Sequence, residues 1–125
     1  MAKGTVNLKT LRWMEEQGLR HWKVEHHNAW AGKKYDLFGI IDYLGINGDT
    51  TVGVQACGAD YAAHIRKLMI EERQSTKDWL EHSGRELVLI GWRKVRAKRG
   101  GIQMIYQERI ARFHLNDGKL YYREE

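Results

Sequence analysis

The stretch YDLFGIIDYLGINGDTTVGVQACG, residues 35–58, decides how the chain is read. Its two arms are rich in Ile, Val, Phe, Tyr and Thr, which suit a pleated, half-buried surface, and Asn47-Gly48-Asp49 between them tolerates the positive φ of a tight turn. The segment predicts a β-hairpin. With a four-residue loop, Asn47 to Thr50, Ile46 faces Thr51, and counting outward sets Asp42 opposite Gln55 on one sheet face. With a two-residue Asn-Gly turn, Asp42 faces Gly53 and Gln55 faces Ile40. Side-chain alternation also puts Asp36 on the side of Asp42, and Cys57 on the side of Gln55.

Upstream, Asn7 to Gln17 predicts a helix with Asn7 as its cap, apolar Leu8, Leu11, Trp13 and Met14, and Gly18 as the left-handed residue that ends it. Leu19 to Asn28 then predicts one strand, with Trp22, Val24 and His26 on one face and Lys23, Glu25 and His27 on the other. His26 and His27 point to opposite faces and cannot share one ion; one is expected in the core and one outside. Glu25 either joins Asp42 and Gln55 or pairs with Lys23 or a nearby arginine. A loop over 29–34 follows, whose Lys33, Lys34 and Trp30 are candidates to touch a nucleic acid.

Downstream, Asp60 is placed to cap a helix through Ala62, Ile65, Leu68 and Met69, with His64, Arg66, Lys67 and Arg73 on its other side. Ser75-Thr76-Lys77-Asp78 has the form of a capping box opening a short helix with Trp79 and Leu80 inward. Arg85 to Val95 predicts a strand covered on both sides over Leu87 to Ile90. Arg93, Lys94, Arg96, Lys98 and Arg99 with Gly100-Gly101 form the densest positive cluster and the best candidate for phosphate contact, with Trp92 to stack on a base or anchor the loop. Ile102 to Leu115 and Leu120 to Arg123, joined by Asn116-Asp117-Gly118, complete a mixed sheet of the α/β or α+β class.

Composition sets the bounds. A chain of 125 residues with no proline and one cysteine is expected to be a single domain with no internal disulfide and no Cys-based zinc cluster. Its formal charge of +5 leans toward a polyanionic partner, because basic side chains that neutralise phosphates release counterions. Apolar runs are too short for a bilayer, and a charged, amphipathic segment follows Met1-Ala2-Lys3-Gly4; a cytoplasmic, DNA-associated protein without membrane contact is the expectation.

An acid on one strand, Gln55-Ala56-Cys57 on the next, a basic helix and then a Gly91-Trp92-Arg93-Lys94 strand resemble the core of the PD-(D/E)xK nuclease superfamily, especially its Holliday-junction-resolvase-like, phage-type members. The resemblance covers most of the chain but its motif is degenerate: Cys57 stands where the motif has lysine. It implies a restriction-endonuclease or resolvase-like core and a DNA endonuclease acting on branched or four-way junction DNA. Mg²⁺ or Mn²⁺ would be held by Asp42, Gln55 and Asp36, with Asp42, Gln55, Glu25 and Lys67 as catalytic residues. Lys67 or His64 would replace the cation missing at position 57. Lys33, Lys34, Arg66, Arg93, Lys94, Arg96, Lys98 and Arg99 would grip DNA, and a homodimer would present two sites. Trp13, Trp30 and Trp79 are interface candidates, with core packing expected for at least two. A catalytically decayed nuclease fold that only binds nucleic acid is the alternative, and a protein-binding domain a third reading.

Overall fold

A computed structural model of the chain describes residues 3–28, 30 and 32–125. Met1 and Ala2, and Ala29 and Ala31 of the expected 29–34 loop, lie outside the described residues. The elements run α1 (Lys3–Glu16), β1 (Arg20–Lys23), β2 (His26–Asn28), β3 (Lys33–Tyr35), β4 (Tyr43–Asn47), β5 (Thr50–Cys57), α2 (Tyr61–Arg66), α3 (Arg73–Leu80), β6 (Arg85–Arg96), β7 (Met104–Asn116) and β8 (Lys119–Glu124). Between α2 and α3 a π-helical turn spans Lys67–Glu71, closed by the Glu72 N–H donating to the Lys67 carbonyl at 2.7 Å. The result is an α/β arrangement: a six-stranded mixed sheet in the order β1-β4-β5-β6-β7-β8, flanked by helices, with β2 and β3 forming a separate two-stranded sheet.

Strand alternation explains the layers. Along β5 and β6, Val52, Val54, Val88, Ile90 and Trp92 point to the face covered by Trp13 and Met14 of α1. Cys57, Leu87 and Leu89 point to the other face, under Tyr61, Leu68 and Trp79. Leu87 to Ile90 are all fully buried, as the unbroken apolar run predicts. Each such side chain contributes about 1.5–3 kcal/mol of hydrophobic stabilisation. Gly91 lets α2 approach this closely, since a Cβ there would lie 2.8 Å from the Tyr61 ring.

The hairpin register is the first of the two alternatives: Ile46 faces Thr51 and Tyr43 faces Val54. The connection is shorter than four residues, because Asn47 and Thr50 still pair around Gly48-Asp49, with Gly48 at φ 58°. β5 and β6 run parallel, joined by the helical crossover, and the other neighbours in the large sheet are antiparallel.

Several local expectations are corrected. The strand expected over Leu19–Asn28 breaks after Lys23: Val24 and Glu25 both donate their N–H groups to the Asp42 carbonyl, and the chain then leaves for the small sheet. His26 and His27 are accordingly both exposed. The first hairpin arm is interrupted at 36–42, where Phe38 (φ 55°) and Gly39 (φ 74°) turn the chain. Lys33 and Lys34 belong to β3 and not to a loop. Asn7 lies inside α1, where its Oδ1 accepts the Tyr43 hydroxyl, so it caps nothing. The Ser75-Thr76 capping box does not form, because α3 is already under way at Arg73; Thr76 donates instead to the Leu68 and Glu72 carbonyls. Trp92 is a core residue whose Nε1 donates to Thr10 Oγ1 at 3.0 Å, not a loop anchor.

Gly18 does end α1. At φ 75° it donates to the Glu15 carbonyl while Leu19 donates to Met14, the paired closure of a Schellman motif. Trp13 and Trp79 are buried in the two cores. No described helix is long and apolar enough to cross a membrane.

Candidate active site

The site lies where β5 ends, in a cavity of about 560 Å³ lined by residues of α1, the 24–25 bend, the 36–42 loop and α2. Asp42 is its most constrained member. Its N–H donates to Val54 (2.9 Å), its carbonyl accepts from Val24 (2.9 Å) and Glu25 (3.0 Å), and its Oδ2 accepts the Ala56 N–H at 2.9 Å. The backbone of the 24–25 bend and of β5 thus fixes the carboxylate before any ligand arrives. The same bend that ends β1 turns Glu25 inward, and the interruption of the first arm delivers Asp36. Carboxylate oxygens of Glu25, Asp36 and Asp42 lie within 4.8 Å of one another.

Around this trio, Lys67 Nζ donates to Asp36 Oδ2 at 2.6 Å from the first residue of the π turn. Interruptions of this kind favour functional positions because they shift the register of one helix face. Gln55 is fully buried behind Asp36. Its Nε2 donates to Asp36 Oδ2 (3.1 Å) and to the Ile40 carbonyl (2.8 Å), while its Oε1 faces His64 Nδ1 at 2.8 Å. Two acceptors on one side dictate that orientation. The residue foreseen as a metal ligand through its oxygen therefore presents its amide nitrogen to the carboxylates.

Electrostatics separates the two aspartates. Burial, a hydrogen bond with Asp36 and the charges of Asp36 and Glu25 push Asp42 up to about 9, against the lowering effect of the Ala56 N–H. Burial acts in the same upward sense on Asp36, but hydrogen bonds from Asp42, Lys67 and Gln55 and the Lys67 charge outweigh it and hold the carboxyl below its ordinary value. Of the two, Asp42 is therefore the one whose surroundings favour the protonated form, hydrogen-bonded to Asp36. Carboxylates this close cannot all ionise unless a cation joins them.

The remaining candidates fall in three places. Lys34 lines the cavity with Nζ 3.9 Å from Glu25, which also lies 4.0 Å from Lys23; Lys33 is exposed beside it. Arg66 is exposed on α2 next to Lys67. Arg93, Lys94, Arg96, Lys98 and Arg99 occupy the β6–β7 hairpin, which continues past Gly91, the partner of Cys57 at the end of β5. Five further residues of β6 carry it roughly 17 Å beyond that row, off the sheet end at which the cavity opens. Within it Arg93 reaches Gln107 and Arg96 caps the Gly101 carbonyl.

Cys57 is buried at the cavity wall, and burial with the charges of Asp60 and Asp42 pushes its thiol up to about 12. Asp60 precedes α2 but makes no side-chain cap; its Oδ2 lies 3.1 Å from His64 Nε2. The four-residue spacing of Asp60 and His64 was the sequence signal for that contact. Phe38, 64% exposed in a left-handed conformation that a bulky side chain disfavours, is two residues from Asp36 and carried no such signal. Comparison with protein families, curated proteins and solved structures finds no match for this chain.

Proposed function

We propose that the chain is a metal-dependent DNA endonuclease with a resolvase-like core, acting as a homodimer on branched DNA. One observation carries the reading: three carboxylates, one from the 24–25 bend and two from the 36–42 loop, converge beside a lysine at the mouth of a cavity, and one of them is too crowded to ionise alone. An all-oxygen set of this kind suits Mg²⁺ or Mn²⁺, with Glu25, Asp36 and Asp42 as the residues that would hold it. Bound there, the ion would supply an activated water and neutralise charge developing on a phosphodiester.

The chain's own groups have definable parts. The backbone N–H of Ala56 orients Asp42, and Gln55 orients Asp36 from behind. Lys67, partly exposed, would take the part of the motif's lysine, offering its ammonium to an incoming phosphate as well as to Asp36. The basic hairpin and Lys33, Lys34 and Arg66 would supply the phosphate contacts. The order of acid, hairpin, basic crossover helix and parallel strand is what supports the finer resemblance to resolvases.

A catalytically decayed DNA-binding domain is the second reading, favoured by the Gln55 oxygen facing His64 and by a buried thiol at position 57. A four-way junction and a linear duplex, each incubated with the protein and Mg²⁺ or Mn²⁺, separate the two. The endonuclease reading expects nicking of the junction, and a loss on the order of 10²-fold or more in Asp42→Ala with binding retained. Junction binding without cleavage in either metal would establish the decayed form.

A further inference from the structure

A second cluster on the same cavity has a different chemistry. Cys57, Asp60 and His64 each offer one ligand atom, and these atoms lie within 4.8 Å of one another. What singles them out is the hydrogen-bond count. Because the Ile40 carbonyl and Asp36 both accept from Gln55 Nε2, Gln55 Oε1 must face His64, and His64 Nδ1 must donate to it. In the neutral imidazole the lone pair is then on Nε2, and Nε2 faces another acceptor, Asp60 Oδ2, at 3.1 Å. Two acceptors at that distance need a cation between them, either a second proton on the imidazole or a metal ion, and the Cys57 sulfur beside them supplies a further ligand for the latter.

The geometry points to a second cation site, for Zn²⁺ or another borderline-soft metal, held by His64 Nε2, Asp60 and Cys57 with one position open to the cavity. Bonds of 2.0–2.1 Å at tetrahedral angles separate nitrogen and oxygen ligands by about 3.3 Å, so the pair needs little movement. A sulfur, nitrogen and oxygen set prefers Zn²⁺ to Mg²⁺, whereas the neighbouring carboxylates have the opposite preference. Gln55 supplies the partner that metal-binding histidines need on their other nitrogen, and through Asp36 it ties this site to the acidic one. As the metal–sulfur bond forms, the Cys57 thiol gives its proton to solvent; no redox step is involved. This site stands or falls independently of the phosphodiesterase reading.

Cobalt(II) titration of the metal-free full chain tests it, because a thiolate bound to cobalt absorbs in the near ultraviolet and Cys57 is the single cysteine. The expected result is a band saturating at one equivalent, with the visible absorption of a tetrahedral ion, displaced by Zn²⁺ and unaffected by excess Mg²⁺. Asp60→Asn, at an exposed position, should weaken binding about tenfold or more. Cys57→Ser should remove the band, and Asp42→Asn should leave it intact even if that variant never cuts DNA. Should Cys57→Ser fail to fold, the parent chain and Asp60→Asn still decide the matter. Cobalt binding without a thiolate band, or a band undiminished in both Asp60→Asn and His64→Gln, would overturn the proposal and leave a proton as the bridge between Asp60 and His64.

Discussion

The two faces of the six-stranded sheet are packed by different rules. Under α1, Trp13, Met14, Val52, Val54, Val88 and Ile90 make an apolar layer, tied to the helix by the Trp92–Thr10 and Tyr43–Asn7 hydrogen bonds. The α2 face has its own apolar layer in Ile41, Leu68, Leu87, Leu89 and Phe113, but at the end of β5 that layer gives way to Gln55, Asp42, Asp36 and Lys67. Buried carboxylates weaken a core unless each is partnered, and apolar side chains of similar volume would serve folding as well or better. The asymmetry is what the proposed site predicts, a polar cluster held at the end of an otherwise apolar layer. It also yields measurable contrasts.

The largest contrast is with the apolar layer itself. Ile90→Ala and Leu89→Ala each remove a fully buried side chain from opposite faces of one central strand, and each should cost about 2–5 kcal/mol in urea unfolding. Near-equal losses would establish both layers as packed core. A cost below about 1 kcal/mol for Ile90→Ala would mean that α1 does not seal its face.

Next comes a pair of polar deletions. Gln55→Ala strips the Ile40 carbonyl, Asp36 and His64 of a partner together, and should cost about 2–3 kcal/mol. Thr76→Val, nearly equal in volume, removes only the hydroxyl that donates to the Leu68 and Glu72 carbonyls and should cost about 1 kcal/mol. If the two losses match, the network around Gln55 is no more than an ordinary buried hydrogen bond.

The apolar layers were legible in the sequence and the polar end only partly so, for physical reasons. Leu87 to Ile90 is an unbroken apolar run, so β6 followed from local chemistry; Asn47-Gly48-Asp49 marked the turn but left two registers open, and the pairing of Asn47 with Thr50 decides between them. The break after Lys23 left no trace, because Trp22, Val24 and His26 keep the alternation of a continuous strand; tertiary pairing of Val24 and Glu25 with Asp42 ends it. Leu37-Phe38-Gly39-Ile40-Ile41 likewise reads as extended, and only Gly39 hinted at the turn that swings Asp36 onto the site. Asp36 and Asp42 do meet, but through a loop and not through two-residue alternation. The orientation of Gln55 depends on the Ile40 carbonyl, a main-chain group that side-chain patterns do not encode.

The smallest effect is the most diagnostic, because its sign differs from that of a structural residue. Asp42 is raised from its ordinary 3.8 to about 9, chiefly by burial and by Asp36, so the folded chain keeps a proton that the unfolded chain releases above about pH 4. Its contribution to stability is complete below that pH and is lost as pH rises toward about 9. Asp36, held low, works in reverse: its contribution is present above the unfolded value and lost as pH falls. Asp42→Asn retains an oxygen for the Ala56 N–H and offers an amide N–H to Asp36 in place of the shared proton. With chelator present, this variant should be more stable than the parent by about 1 kcal/mol at neutral pH, with the gap widening toward pH 9. Excess Mg²⁺ should narrow or invert the gap, since only the parent has the full carboxylate set for an ion to join. Urea midpoints at three pH values, with and without Mg²⁺, measure all of this. If Asp42→Asn is destabilising throughout and Mg²⁺ does not discriminate between the two proteins, Asp42 is simply a buried hydrogen-bonding residue, and the contrast between the two faces has no bearing on catalysis.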